Sequence, residues 1–304
     1  MNLKIILIFF TVCLNVQTIK AQDFKQQFRT AFQKQDTTEQ KNILDKWSQE
    51  NDNDPELYVA YFNYFATQSK KEMITLGQNP KGENVLQIMD KDTSETEPVG
   101  FIYGETYYDT DLLTTAFQYI NKGIENYPNR LDMRFGYIYM LGESEDYDLF
   151  TTEIIKTIDY SAINKNQWTW SDGKPLESPK ETMLGSIQGY QLTLYNTEED
   201  KLLENMKNIA QAVLKHYPNH IESLSNLSVV FLIQGEYDKA LEPLLKANKL
   251  TPNDTIVLNN IAQTYKLKGD KKNALKYYKM IVKQGDEEAK EHAKQQIEAL
   301  TENE

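Results

Sequence analysis

The sequence predicts an all-α protein built of stacked helical hairpins, with two irregular or β-hairpin-like insertions. Three observations carry that prediction. Residues 221–288 repeat themselves with a period of 34. Related tripeptides, Tyr127-Pro128-Asn129, Tyr217-Pro218-Asn219 and Thr251-Pro252-Asn253, each end one helical pattern and start the next. The lengths left over between these junctions match two Gly- and Pro-bearing stretches, at about 75–110 and 161–179.

The chain opens with a segment that does not belong to the fold. Met1-Asn2-Leu3-Lys4 is a short basic start, residues 5–14 are an apolar run, and Ala21 precedes Gln22. That order reads as a secretory signal peptide over 1–21, and the run is shorter than the roughly 20 residues of a membrane span. The expected location is exported, periplasmic or secreted, with no stable membrane insertion after cleavage. Cys13 is the only cysteine, so the mature chain has no thiol for catalysis or metal ligation. Cleavage at Cys13 as a lipoprotein would require a small residue before it, and Val12 stands there.

After the leader, residues 22–34 and 37–50 form a helical pair, with Asp36 and Glu39 spaced as a capping box before the second helix. A helix over about 55–69 follows the Asp54-Pro55-Glu56 junction, and its partner covers about 111–126. Between them lie Pro80, Gly82, Pro98, Gly100 and Gly104, together with the apolar runs Val85–Met89 and Val99–Tyr103, which predict a β-hairpin-like insertion. The second insertion, residues 161–179, carries Trp168, Trp170, Gly173 and Pro175. Pro218 and Pro252 are one period of 34 apart, whereas Pro128 to Pro218 is 90 and Pro55 to Pro128 is 73. The two longer gaps exceed whole repeats by lengths that fit the insertions.

The repeat itself is dense. Leu224, Leu227, Ser228, Phe231, Gly235, Ala240, Leu244, Ala247 and Pro252 have counterparts 34 residues on: Leu258, Ile261, Ala262, Tyr265, Gly269, Ala274, Tyr278, Ile281 and Asp286. Small residues at Ser228 and Ala240, and at Ala262 and Ala274, let antiparallel helices approach. Gly235 and Gly269 fall between helices, where a left-handed residue is common. Ile281 and Asp286 break the pattern where the array ends. Residues 287–300 then read as a capping helix with Ala289, Ala293, Ile297 and Leu300 on one face.

The pattern large–large–small–aromatic, Gly, Ala–large–Ala, Pro resembles the tetratricopeptide (TPR) repeat, at residues 221–254 and 255–288. The resemblance implies a right-handed α-solenoid of about six hairpins, residues 22–220 being degenerate TPR-like units and 289–304 a cap and tail. It also implies that the first helix of each unit lines a groove for a protein or peptide. By position the groove residues are Glu222, Ser225, Val229 and Leu232, then Ile256, Asn259, Gln263 and Lys266. Asn259 and Lys266 echo the family's carboxylate clamp, but Glu222 and Ser225 depart from it. Asn226 and Asn260 occupy one place in both units, facing either a ligand backbone or the interface between units.

The remaining chemistry is sparse. Formal net charge is −12, or −14 once the leader removes Lys4 and Lys20, which excludes the clustered cations that nucleic acid requires. His216 and His220 are four apart, but the Tyr217-Pro218-Asn219 junction between them separates the rings onto different helices, so no metal site is expected. No cofactor, phosphate loop, nucleophile elbow or dinucleotide fingerprint is legible. Acidic groups such as Glu198-Glu199-Asp200 sit at helix starts, as the helix dipole favours. Trp168 and Trp170 alternate, and in an extended segment both indoles would face one side. They form either an aromatic ligand platform or anchors that pin the loop, and Tyr103, Tyr107 and Tyr108 carry the same two readings. The leading expectation is a non-catalytic scaffold of the bacterial cell envelope that holds a protein or peptide. The alternatives are a glycan or small-ligand module built on the aromatic insertions, and a hydrolase.

Overall fold

A computed structural model describes residues 23–78, 80, 84–89 and 97–302. The expected leader, residues 1–21, lies outside the described residues, as does Gly82 of the first insertion. Among the described residues thirteen α-helices run in order: α1 (23–33), α2 (Thr37–Glu50), α3 (Pro55–Ser69), α4 (Thr110–Asn126), α5 (Leu131–Glu143), α6 (Tyr147–Ile163), α7 (Pro179–Tyr195), α8 (Leu203–His216), α9 (Ile221–Ile233), α10 (Tyr237–Leu250), α11 (Thr255–Leu267), α12 (Lys271–Gln284) and α13 (Glu287–Thr301). Strands β1 (Lys70–Gly77), β2 (Val85–Ile88) and β3 (Gly100–Tyr108) separate α3 from α4. The chain is thus helical hairpins carrying two insertions, the all-α class the sequence predicts.

Two compact units result. The first comprises residues 1–144 with 169–175, the second 145–168 with 176–304. In the first unit, Leu44 and Trp47 of α2 pack with Leu57, Ala60 and Tyr61 of α3. The Tyr61 ring stacks on Tyr119 of α4 at 4.2 Å between centroids. Asp36 caps α2 by accepting from the Glu39 amide at 3.0 Å. Asp54 does the same for Glu56 at the start of α3, while its second oxygen accepts from the Trp47 indole at 3.1 Å. The α3–α4 approach is close enough that a Cβ on Gly123 would lie 3.0 Å from that of Tyr58. A side chain there would require Tyr58 and Met133 to give way by a few tenths of an ångström.

The first insertion is a three-stranded antiparallel sheet in the order β1-β3-β2, with Lys70 opposite Tyr108 and Val85 opposite Tyr103. The two apolar runs expected to pair do so. The insertion begins at Lys70 rather than Thr75, because α3 passes directly into an extra strand. No Gly or Pro marks that junction in the sequence.

In the second unit the two period-34 segments become α9–α10 and α11–α12. Ser228, Ala240, Ala262 and Ala274 are all buried, and the Ser228 hydroxyl donates to the Ala240 carbonyl at 3.0 Å. Gly235 and Gly269 take left-handed φ values of 74° and 82°. Asp254 caps α11 through the amides of Ile256 and Val257. Helix α10 runs through Pro243, which is buried. In α13, Ala293 is buried and Ala289, Ile297 and Leu300 pack on the core made by Leu258, Ile261, Ala274, Tyr278 and Ile281. This face therefore covers the end of the last hairpin.

Candidate partner-binding groove

The eight positions expected to line a groove divide cleanly from the core around them. Leu224, Ser228, Val257, Leu258, Ile261 and Ala262 are buried. Ser225, Val229, Leu232, Asn259, Gln263 and Lys266 are half-buried, and Glu222 and Ile256 are exposed. Helical periodicity produces this division: one stripe of each helix faces its hairpin partner and the adjacent stripe faces outward. The exposed Ile256 side chain sits at the start of α11, where Asp254 holds the first amides.

The polar members of the row are held in place. The Lys266 ammonium donates to Gln296 Oε1 of α13 at 2.7 Å, and Gln263 Oε1 accepts from the Tyr278 hydroxyl at 3.1 Å. Asn259 Oδ1 is shielded from solvent and has no hydrogen-bond partner. Asn226 exchanges two hydrogen bonds with Gln188 of α7, at 2.8 and 3.3 Å, so it ties α9 to α7. Its interface role is the one the geometry realises.

A cleft of about 690 Å³ opens between α7 and the α8–α9 turn, with Lys180, Leu184, Gln188, Tyr217 and Glu222 in its walls. Glu222 belongs both to this cleft and to the row. His216 and His220 border the cleft from different helices and have different partners. His216 Nε2 lies 2.6 Å from Asp159 Oδ1, which also accepts from Lys215 at 2.9 Å. The hydrogen bond with His216, then that from Lys215, holds the Asp159 carboxyl below its ordinary pKa. His220 is the N-cap of α9: its Nδ1 accepts from the Ser223 amide at 3.3 Å, and its Nε2 lies 3.2 Å from Glu222. Burial pushes the His220 pKa down, against the opposing charge of Glu222. Among the described residues no group of three or more His, Cys, Asp or Glu is placed to hold a metal ion.

Nothing in the sequence pointed to Lys180, Leu184 or Gln188. Helix α7 has no period-34 counterpart, so its outward face was not readable by register.

Of the two readings of the tryptophan pair, burial favours the anchor. Trp168 is 1% exposed and packs against Tyr160, whereas Trp170 is 38% exposed and meets the Phe135 ring edge-on. Thr169 between them donates to the Asn129 carbonyl at 2.9 Å and accepts from the Leu131 amide at 3.0 Å. An enclosed indole offers no face to a sugar, so Trp168 is an anchor and the pair forms no common surface. In the first insertion Tyr103 is buried, its hydroxyl lying against Gly77, while Tyr107 is exposed and Tyr108 half-buried.

The same loop carries an ion network in the first unit. Glu56 of α3 meets Arg130 at 2.7 Å and Lys25 of α1 at 2.8 Å, and accepts from the Asp172 amide at 2.9 Å and the Ser171 hydroxyl at 3.2 Å. Arg130 also grips Asp132 through two hydrogen bonds of 2.8 and 2.7 Å. Burial opposes ionisation of Glu56, but the Lys25 and Asp172 hydrogen bonds and the Arg130 charge outweigh it and hold its pKa low.

Comparison with known proteins identifies a tetratricopeptide repeat at residues 256–283, which is α11 and α12. No curated protein matches the chain. Among solved structures, YrrB, described as a TPR protein with an unusual peptide-binding site, is 16% identical over 83% of this chain and 97% of its own, with a TM-score of 0.42. MamA is 16% identical over 58% and 91%, with a TM-score of 0.37. The pilF protein of Pseudomonas aeruginosa is 10% identical over 91% and 97%, also at 0.37. Likeness at this level reaches no binding residue.

Proposed function

We propose that this protein is a non-catalytic scaffold of the bacterial cell envelope that binds a protein or peptide along the first helices of its C-terminal hairpins. One observation carries the reading: the row from Glu222 to Lys266 lies outside the core in both hairpins and mixes apolar side chains with amides. Val229, Leu232 and Ile256 supply apolar contact beside the amide of Gln263 and the ammonium of Lys266. The basic, apolar and small-residue order of residues 1–21 supports export, and among the described residues no helix is long and apolar enough to cross a membrane.

Affinity capture from envelope extract tests the groove, with the mature chain beside an Asn259→Ala/Lys266→Ala variant and a Val229→Asp/Leu232→Asp variant. The expected result is a protein retained by the wild type and weakened about tenfold or more by both variants. A partner that both variants retain fully refutes the groove. Mass spectrometry of the exported product tests the compartment: a chain beginning at Gln22 is expected, and an uncleaved chain beginning at Met1 refutes it.

A further inference from the structure

The first unit presents a second surface, unrelated to the groove. Strand β1 pairs only with β3, so one long edge of its eight residues is free of strand partners among the described residues. Such an edge, about 26 Å long, offers unpaired N–H and C=O groups that an additional strand satisfies. Its side chains do not protect it. Ile74 is 82% exposed, Leu76 71% and Met73 50%. On one face Leu76, Ile102 and Leu86 stand in register across all three strands, an apolar ledge of a kind that soluble surfaces reserve for contacts.

The two ends of β1 differ in chemistry. The Gly77 end is apolar, whereas Lys70 and Lys71 at the other end enter a cleft of about 900 Å³ walled by Gln33, Gln35, Gln40 and Gln68, with Glu72 as its one acidic member. Neither lysine has an ion-pair partner among the described residues, in contrast to Lys25, Lys41, Lys215 and Lys268. Two ammonium groups against the single Glu72 carboxylate leave the cleft net positive, and with four amides beside them they favour a further carboxylate. A second copy of β1 brings Glu72 only together with its own Lys70 and Lys71, so it adds net positive charge to an end that is already positive.

We propose that β1 receives an extended peptide from another protein, with alternate apolar residues against Ile74 and Leu76 and an acidic end at Lys70 and Lys71. Backbone hydrogen bonds supply affinity in such strand addition, and the ledge and the lysines set register and direction. A basic-ended strand is disfavoured by the lysines at this end of the otherwise unprotected edge.

The test uses the full chain and a fluorescein-labelled peptide of four Val-Thr repeats ending in Glu-Glu, compared with the same peptide ending in Lys-Lys, by fluorescence anisotropy. The acidic peptide is expected to bind about tenfold tighter or more, Lys70→Glu/Lys71→Glu to invert that preference, and Ile74→Asp/Leu76→Asp to abolish binding of both. Amide hydrogen exchange at residues 70–77 is expected to slow with the peptide bound. No binding at millimolar peptide, a preference unmoved by charge reversal, or protection at α9 and α11 instead of β1 overturns the proposal. Concentration-dependent self-association lost in Ile74→Asp/Leu76→Asp assigns the edge to a second copy and overturns it equally.

Discussion

Replacing Glu56 with Gln removes a negative charge at the point where α1, α3, α5 and the 169–175 segment meet. Its side chain is 10% exposed and that of Arg130 only 3%. Breaking a buried pair by removing one partner costs about 3–5 kcal/mol when the other is left bare. Here Arg130 keeps its two bonds to Asp132, and Gln still offers an oxygen to the Asp172 amide or the Ser171 hydroxyl. The expected loss is therefore smaller, about 2–3 kcal/mol. Urea unfolding followed by far-UV circular dichroism measures it, and Trp170 emission reports whether the segment stays docked. The pH dependence supplies a second readout. Because the folded pKa of Glu56 is depressed, its contribution is complete above the ordinary carboxylate value of about 4.3 and is lost as pH falls through the folded value. Glu56→Gln should lack that acid-side loss. A change below about 0.5 kcal/mol, the range of an exposed pair, with an unaltered acid limb refutes the assignment. Adding Arg130→Met to Glu56→Gln should cost less than the sum of the single changes, because the partners share one interaction.

Two further outcomes follow from packing. Ala274→Leu forces three carbons into a fully buried helix contact opposite Ala262, and should destabilise by about 1–3 kcal/mol in thermal unfolding; a neutral result would mean the α11–α12 approach is looser than described. Trp47 and Trp168 are enclosed and Trp170 is not, so acrylamide should quench one component of the tryptophan emission, and Trp170→Phe should remove that component. Ready quenching that survives this substitution refutes the burial of the other two.

Legibility in the sequence followed regularity. Helices α9 to α13 were readable because the small, aromatic and Gly positions recur in register and each has one packing reason. Asp36 and Asp254 announced their helix starts through local chemistry alone. Strand β1 was missed because Lys70-Lys71-Glu72 continues α3 without a breaker, and only the partner β3 reveals the strand. Pro243 misleads in the other direction, since a mid-helix proline normally signals an end. The two readings of the tryptophans could not be separated in the sequence, because alternation identifies an extended segment, as Thr169 with its bridges to Arg130 and Pro175 is, but not what buries each ring. The Glu56 network was invisible because its members lie up to 147 residues apart. Only the folded chain brings them together.

The seven residues from Thr169 to Pro175 belong to the first unit although the chain on either side belongs to the second. In a simple repeat array each hairpin is continuous in sequence and contacts only its neighbours, so a cut at a junction removes whole hairpins. Residue 144 is no such junction. A gene fragment ending there would encode Glu56 and Lys25 without Ser171 or Asp172, and deleting the stretch after α6 would damage a unit closed in sequence long before. A cut at residue 144 would therefore remove part of the first unit's own ion network along with the second unit.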